Sequence, residues 1–120
     1  MSRPWPTEIK LRKAARLLDI QFDDGARFEL PAEYLRVNTG SAADRGHGAG
    51  PRKLVAGKQG VGLVDARPVG AYALRLVFDD GHDTGLYSFD ELYRLGRDRE
   101  RVWEDYLREL EAAGKSRSSL

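Results

Sequence analysis

Two stretches of this chain mirror one another in pattern, and that duplication constrains the fold more than any other feature. Residues 18–36 read LDIQFDDGARFELPAEYLR, and residues 76–94 read LVFDDGHDTGLYSFDELYR. Each has an apolar residue and a spacer, then Phe-Asp-Asp-Gly, a short apolar run, a Pro or Ser, an acid, a leucine and an arginine. Asp24-Gly25 and Asp80-Gly81 are hairpin dipeptides, because glycine takes the positive φ of a tight turn without steric cost. Leu18, Ile20 and Phe22 recur at the strand period, as do Leu74, Leu76 and Phe78. The pattern predicts two β-hairpins, each running into a short helix.

The helix signals agree with this reading. Pro31 suits the first turn after the first hairpin. Ser88 with Glu91 three residues on is a capping-box pattern. Leu92 and Leu95 are expected to face the core, and Gly96 to break that helix. A last helix is expected from about Asp98 to about Ala113. Its stripe of Val102, Trp103, Tyr106, Leu107 and Leu110 closes the core, and Arg101 can pair with Asp105 on the polar face. The expected organisation is a flexible N-terminus over residues 1–7, a domain over 8–96, the helix over 97–113 and a disordered tail over 114–120. The fold class is α+β: a small antiparallel β-sheet domain built from two hairpins with short helices and a C-terminal helix.

Between the repeats, Asn38 to Gly62 holds seven of the chain's 13 glycines. So long a connection in a small domain is usually functional or mobile. A short strand is expected near Arg52 to Val55. Another is expected over Val61 to Val64, ended by Pro68, with the sheet resuming from Val69 to Phe78. Arg45, His47, Arg52, Lys53 and Lys58 share this segment, where backbone N–H groups can converge on an anion. It is not a Walker loop, since Gln59 follows Gly57-Lys58 where the magnesium-binding hydroxyl belongs.

Composition removes several function classes. Cysteine is absent, which excludes disulfides, thiolate catalysis and cysteine-held clusters. A net charge of +1 leaves no global field for nucleic acid or an anionic membrane, so neither is an expected partner. The apolar runs are too short to span a bilayer, and the first residues lack the apolar core of a signal peptide. A cytoplasmic protein is expected. Ser88 beside His82 is better explained as a helix cap than as part of a triad, and no nucleophile elbow appears. The paired aspartates recur symmetrically at turns, which favours a turn role over a unique acid–base site. His82 stands where the first repeat has Ala26, so the hairpin itself does not demand an imidazole.

LRVNTGSAADRGHG, Pro68-Val69-Gly70 and FDDGHDTGLYSFDELYRLG together resemble the gamma-butyrobetaine hydroxylase-like N-terminal domain family, from about Glu8 to Gly96. In the full-length hydroxylases of that family the domain precedes an iron- and 2-oxoglutarate-dependent catalytic domain. The resemblance implies a structural zinc held by a Cys-x-Cys-x-x-Cys pattern and one histidine. Those positions fall on Thr39, Ser41 and Asp44, with His82 as the histidine, so no thiolate is left. The catalytic domain and its ligand motif are missing, so the chain is read as a non-enzyme. Other members are linked with iron–sulfur cluster carrier proteins of the ParA-like ATPase type, which implies an accessory role with a protein partner.

The expected function is thus a non-catalytic binding or interaction module without a cofactor. Its expected face joins Arg45, His47, His82 and Tyr87. Arg45 would grip an acidic group, the two histidines would exchange hydrogen bonds near neutral pH, and Tyr87 would offer an aromatic face with a polar tip. The alternative is a weak zinc or iron site made by His47 and His82 with Asp44 or Asp83. If His82 instead hydrogen-bonds to the Asn38–Asp44 bend, His82→Ala lowers the melting temperature and a chelator leaves it unchanged. A chelator-sensitive melt would overturn that expectation.

Overall fold

The computed structural model describes residues 4–38, 54–82 and 85–118. The duplication is larger than the two hairpins. Each repeat is three antiparallel strands and a helix: β1 (Pro6–Arg12), β2 (Leu17–Phe22), β3 (Arg27–Pro31) and α1 (Ala32–Val37), then β4 (Leu63–Val69), β5 (Ala73–Phe78), β6 (Gly85–Ser88) and α2 (Phe89–Arg97). A third helix, α3 (Arg99–Ala112), follows. The strands form two sheets, ordered β1-β2-β3 and β4-β5-β6. Even the irregularities repeat. Pro6 pairs with Phe22 and Leu63 with Phe78, and in both sheets the register slips one step further along the first strand.

The inward faces of both sheets meet in one core of Leu18, Ile20, Phe22, Leu30, Leu63, Leu74, Leu76, Phe78 and Tyr87, closed by Tyr34 and Leu35 of α1 and by Leu92 and Leu95 of α2. The strand period predicted from the hairpin residues is therefore the burial period. Ser88 caps α2 as expected, its Oγ accepting from Glu91 N–H at 3.0 Å. The Glu91 carboxylate binds Arg94 rather than reaching back to the cap.

The Phe-Asp-Asp-Gly motif does the same three jobs twice. Its glycine sits in the left-handed region, φ 90° at Gly25 and 91° at Gly81. Its first aspartate secures the entry to the first strand: Asp23 Oδ1 accepts from Trp5 N–H at 3.1 Å, and Asp79 Oδ1 from Gly62 N–H at 2.9 Å. Its second aspartate closes its own turn, accepting from Ala26 N–H at 2.9 Å or His82 N–H at 3.1 Å. That same carboxylate then reaches the helix of the other repeat. Asp24 Oδ2 accepts from Tyr93 Oη of α2 at 2.6 Å, and Asp80 Oδ2 from Arg36 Nε of α1 at 2.9 Å. The two repeats are clasped crosswise.

Several expectations are corrected. Residues 4–7 are not a loose end: β1 begins at Pro6, and Trp5 is held at both its N–H and its C=O by Asp23. Leu54 and Val55 are not strand; they pack on Tyr106 and Leu110, and Val55 O accepts from Tyr106 Oη at 2.6 Å. Pro68 lies inside β4 instead of ending it, which its place on an outer strand permits because no partner waits there for an N–H. The next strand starts only at Ala73, after a turn with Gly70 at φ 60°. Leu107 of the α3 stripe is exposed. The tail is docked at least to Ser118: Gly57 and Gln59 N–H donate to Ser116 and Arg117 C=O, and Arg117 pairs with buried Glu33. Gly96 is not a helix breaker but a helical residue seated against the Phe28 ring, where a Cβ would overlap the ring carbons.

Gly96→Ala should therefore destabilise the protein by about 1–3 kcal/mol despite the better helix propensity of alanine, because overpacking outweighs propensity here. Urea denaturation measures this. The same substitution in a Phe28→Ala background should cost clearly less, and equal costs in the two backgrounds would refute the packing explanation.

Candidate functional site

Where the two repeats match, core packing or the hydrogen bonds of the turns account for the match. The places where they differ are the candidates for function. One such place is the second hairpin turn. Asp24 is met across the domain by one neutral hydroxyl, but Asp80 is met by two cations, Arg36 and Lys58, at 2.9 and 2.6 Å. Burial of Asp80 opposes its charge, but Lys58, the His82 backbone N–H and Arg36 together outweigh it and hold the carboxyl at about 2. His82 lies beside this cluster, its ring 6.0 Å from that of Phe78, and its C=O accepts from Phe78 N–H at 2.9 Å. In this turn the Asp80 carboxylate makes a cross-domain contact, to Arg36 of α1. Asn38, at the start of the bend expected to meet His82, gives its side-chain N–H to Tyr34 O at 2.8 Å.

The other place is an aromatic cleft between the repeats. Trp5 stands where the second repeat has Gly62, whose own added Cβ would come within 2.8 Å of Asp79 Oδ2. The Trp5 indole meets Tyr72 and Phe89 edge-to-face, with centroids 5.9 and 5.3 Å apart. Phe89 N–H donates to Tyr72 O at 2.8 Å, so the β4–β5 turn is tied to the start of α2. The cleft is about 390 Å³, and among the described residues its lining holds the carboxylates of Asp23 and Asp90 and no cation. Trp5 is 43% exposed and Tyr72 67%. Sequence reasoning missed this cleft. The signal lay in a tryptophan between two prolines, in a segment set aside as flexible.

Of the residues singled out from sequence, Arg45, His47, Asp44 and Asp83 lie outside the described residues. Tyr87 requires a correction. It is 1% exposed, and its hydroxyl donates to Leu35 O of α1, so its ring is core and offers no face to a partner. The hairpin period already implied this, since Tyr87 matches Leu30 of the first repeat.

A family model described as "Gamma-butyrobetaine hydroxylase-like, N-terminal" matches residues 9–93. The chain belongs to this family. Two solution NMR structures are similar to it. One is 45% identical with a TM-score of 0.85, over 99% of this chain and 94% of the other. The second is also 45% identical with a TM-score of 0.81, over 97% and 86%. A crystal structure of a protein of unknown function of the DUF971 family, from Acidithiobacillus ferrooxidans, is 35% identical with a TM-score of 0.63, over 76% of this chain and 91% of that one. No curated protein matches.

For a gamma-butyrobetaine hydroxylase-like N-terminal domain the implied metal is a zinc on three thiolates and a histidine, and this donor set does not fit, because the chain has no cysteine. Among the described residues, no group of three His, Asp or Glu side chains could hold a metal ion. No catalytic domain is evident in these residues, and no helix among those described is long and apolar enough to cross a membrane.

The depressed Asp80 carboxyl sets a pH window. Its stabilising contribution is complete above the unfolded carboxyl range near 4 and is lost as pH falls toward about 2. Asp80→Asn should cost roughly 1–3 kcal/mol at neutral pH, because it leaves Arg36 and Lys58 without their shared anion. The variant's melting temperature should also fall less steeply than that of the wild type between about pH 4 and 2. Parallel melting curves across that window would show that Asp80 does not carry the clasp.

Proposed function

We infer that this domain is a non-catalytic protein-binding module, and that its docking surface is the cleft of Trp5, Tyr72 and Phe89. The observation that supports this reading is the cleft itself: two large aromatic side chains are left exposed beside carboxylates, on a scaffold whose other large aromatics are mostly packed inward. Exposed Trp and Tyr in a concave site are the residue types that dominate binding energy at protein interfaces. The occupant that fits is a basic side chain of a partner protein. An arginine or lysine stem can lie on the indole and phenol, and its charge gains from the ring faces and from Asp23. The positive end of α2 does not spoil this, because Ser88 already accepts the Glu91 N–H, and Asp90 and Glu91 stand in the first turn. Recognition of this kind requires no acid–base or metal chemistry.

The test is an NMR titration with acetyl-Gly-Arg-Gly-amide, with acetyl-Gly-Gln-Gly-amide as control. The arginine peptide should shift the Trp5 indole resonance selectively, with weak affinity, and Tyr72→Ala should weaken that response several-fold without changing the melting temperature. An equal response to the two peptides, or a response indifferent to Tyr72→Ala, would remove the reading.

A further inference from the structure

The segment from Gly114 to Ser118 is bound to the rest of the chain as a ligand would be. After α3 the chain reverses at Gly114, φ 66°, with Lys115 N–H donating to Leu110 O at 2.9 Å. It then runs beside residues 57–59, bound by two backbone hydrogen bonds: Gly57 N–H donates to Ser116 O and Gln59 N–H to Arg117 O, both at 3.0 Å. Arg117 makes a two-pronged pair with Glu33, Nε to Oε2 at 2.8 Å and Nη2 to Oε1 at 2.7 Å. Its guanidinium also lies 5.3 Å from the centre of the Trp103 ring. The arrangement combines the elements of arginine recognition: a planar fork on a carboxylate, an aromatic platform and two backbone donors that hold the segment's carbonyls.

The receiving groups belong to the folded domain. Glu33 is 7% exposed, in the first turn of α1, and Trp103 is held edge-on against Tyr34 at 6.1 Å. The segment does not fill its groove. A cavity of about 310 Å³ remains beside Arg117, lined by Glu33, Tyr34, Arg99, Glu100 and Trp103. Arg117 keeps 39% of its side chain exposed, against 8% for Glu33. A nearly buried carboxylate thus has a half-exposed partner on a short strap.

We propose that the groove of Glu33, Trp103 and the Gly57 and Gln59 amides is a docking site for an arginine-bearing segment of a partner protein, and that Gly114–Ser118 is its resident occupant, a latch that the partner displaces. Charge complementarity selects the occupant: Glu33 needs a cation in a planar fork, and the segment already in place supplies one. This inference is independent of the aromatic cleft, because it uses none of the same residues.

The probe is the peptide acetyl-Lys-Ser-Arg-Ser-Ser-amide, added to the full chain and followed at the Trp103 indole by NMR. Arg117→Gln should bind the peptide about tenfold more tightly than the wild type, since its own segment no longer competes. Adding Glu33→Gln should abolish the gain. A second measurement holds whatever the variants do. In the wild type, the Gly57 and Gln59 amides should exchange with solvent at least about 100-fold faster than those of β2, as expected of a strap that opens without global unfolding. Equal affinities of wild type and Arg117→Gln, indifference to Glu33→Gln, or strap amides as protected as β2 would each overturn the proposal. So would a concentration-dependent wild-type dimer, which would show the groove to be filled by a second copy.

Discussion

The fold depends on a pair of carboxylates that each serve two masters. Asp24 and Asp80 close their own hairpin turns and bind the helix of the opposite repeat. A turn satisfied only locally would leave the repeats joined by their shared apolar core without this polar tie. A carboxylate has two oxygens and about four acceptor positions, so one side chain can supply both bonds. Because the bonds cross, they tie each turn to the other repeat over the core that the two sheets share.

Two buried tyrosines repeat this logic inside the domain. Tyr34 of α1 donates to Leu95 O of α2 at 2.6 Å, and Tyr87 of β6 donates to Leu35 O of α1. Desolvation, the leading cause, raises the Tyr34 hydroxyl to about 12, so it remains a donor across the whole physiological range. Each bond satisfies a hydroxyl that would otherwise be costly to bury. The outer face of the first sheet follows different rules. There Asp19 lies between Arg27 and Arg12, whose hydrogen bonds, Arg27 foremost, hold it at about 2. The matching strand position of the second sheet is Arg75, whose Nε is buried without a partner among the described residues. The duplication keeps apolar residues at matching strand positions of the core and diverges elsewhere, and the candidate sites lie where it diverges: at Trp5 in place of a glycine, at the cations on Asp80, and at the strap on Glu33.

Much of the scaffold was legible before any coordinates. The repeated Phe-Asp-Asp-Gly announced the turns, the alternation of Leu18, Ile20 and Phe22 announced the buried face, and Ser88 with Glu91 announced a helix start, because each is a matter of near neighbours in the chain. The misreadings share one cause, which is that a residue's neighbours in space were unknown. Pro68 looks like a strand end until the strand proves to be an outer one. Gly96 looks like a helix breaker until Phe28, far away in sequence, proves to occupy the place of its side chain. Gly114 to Ser118 looks disordered by composition, and it is held by a buried carboxylate of α1 and by the Gly57 and Gln59 amides.

By itself, then, the sequence determined the periods and the turns: two hairpins of one design, their apolar faces, and the impossibility of a thiolate zinc site in a chain without cysteine. Backbone preference and side-chain alternation are local properties, so they can be read in one dimension. Only the tertiary structure decided that the second aspartate of each turn binds the other repeat, that Tyr87 is core, and that Trp5, Tyr72 and Phe89 share one cleft. Those facts depend on which distant groups the two sheets bring within hydrogen-bonding or ring-contact distance, and no local pattern carries that information.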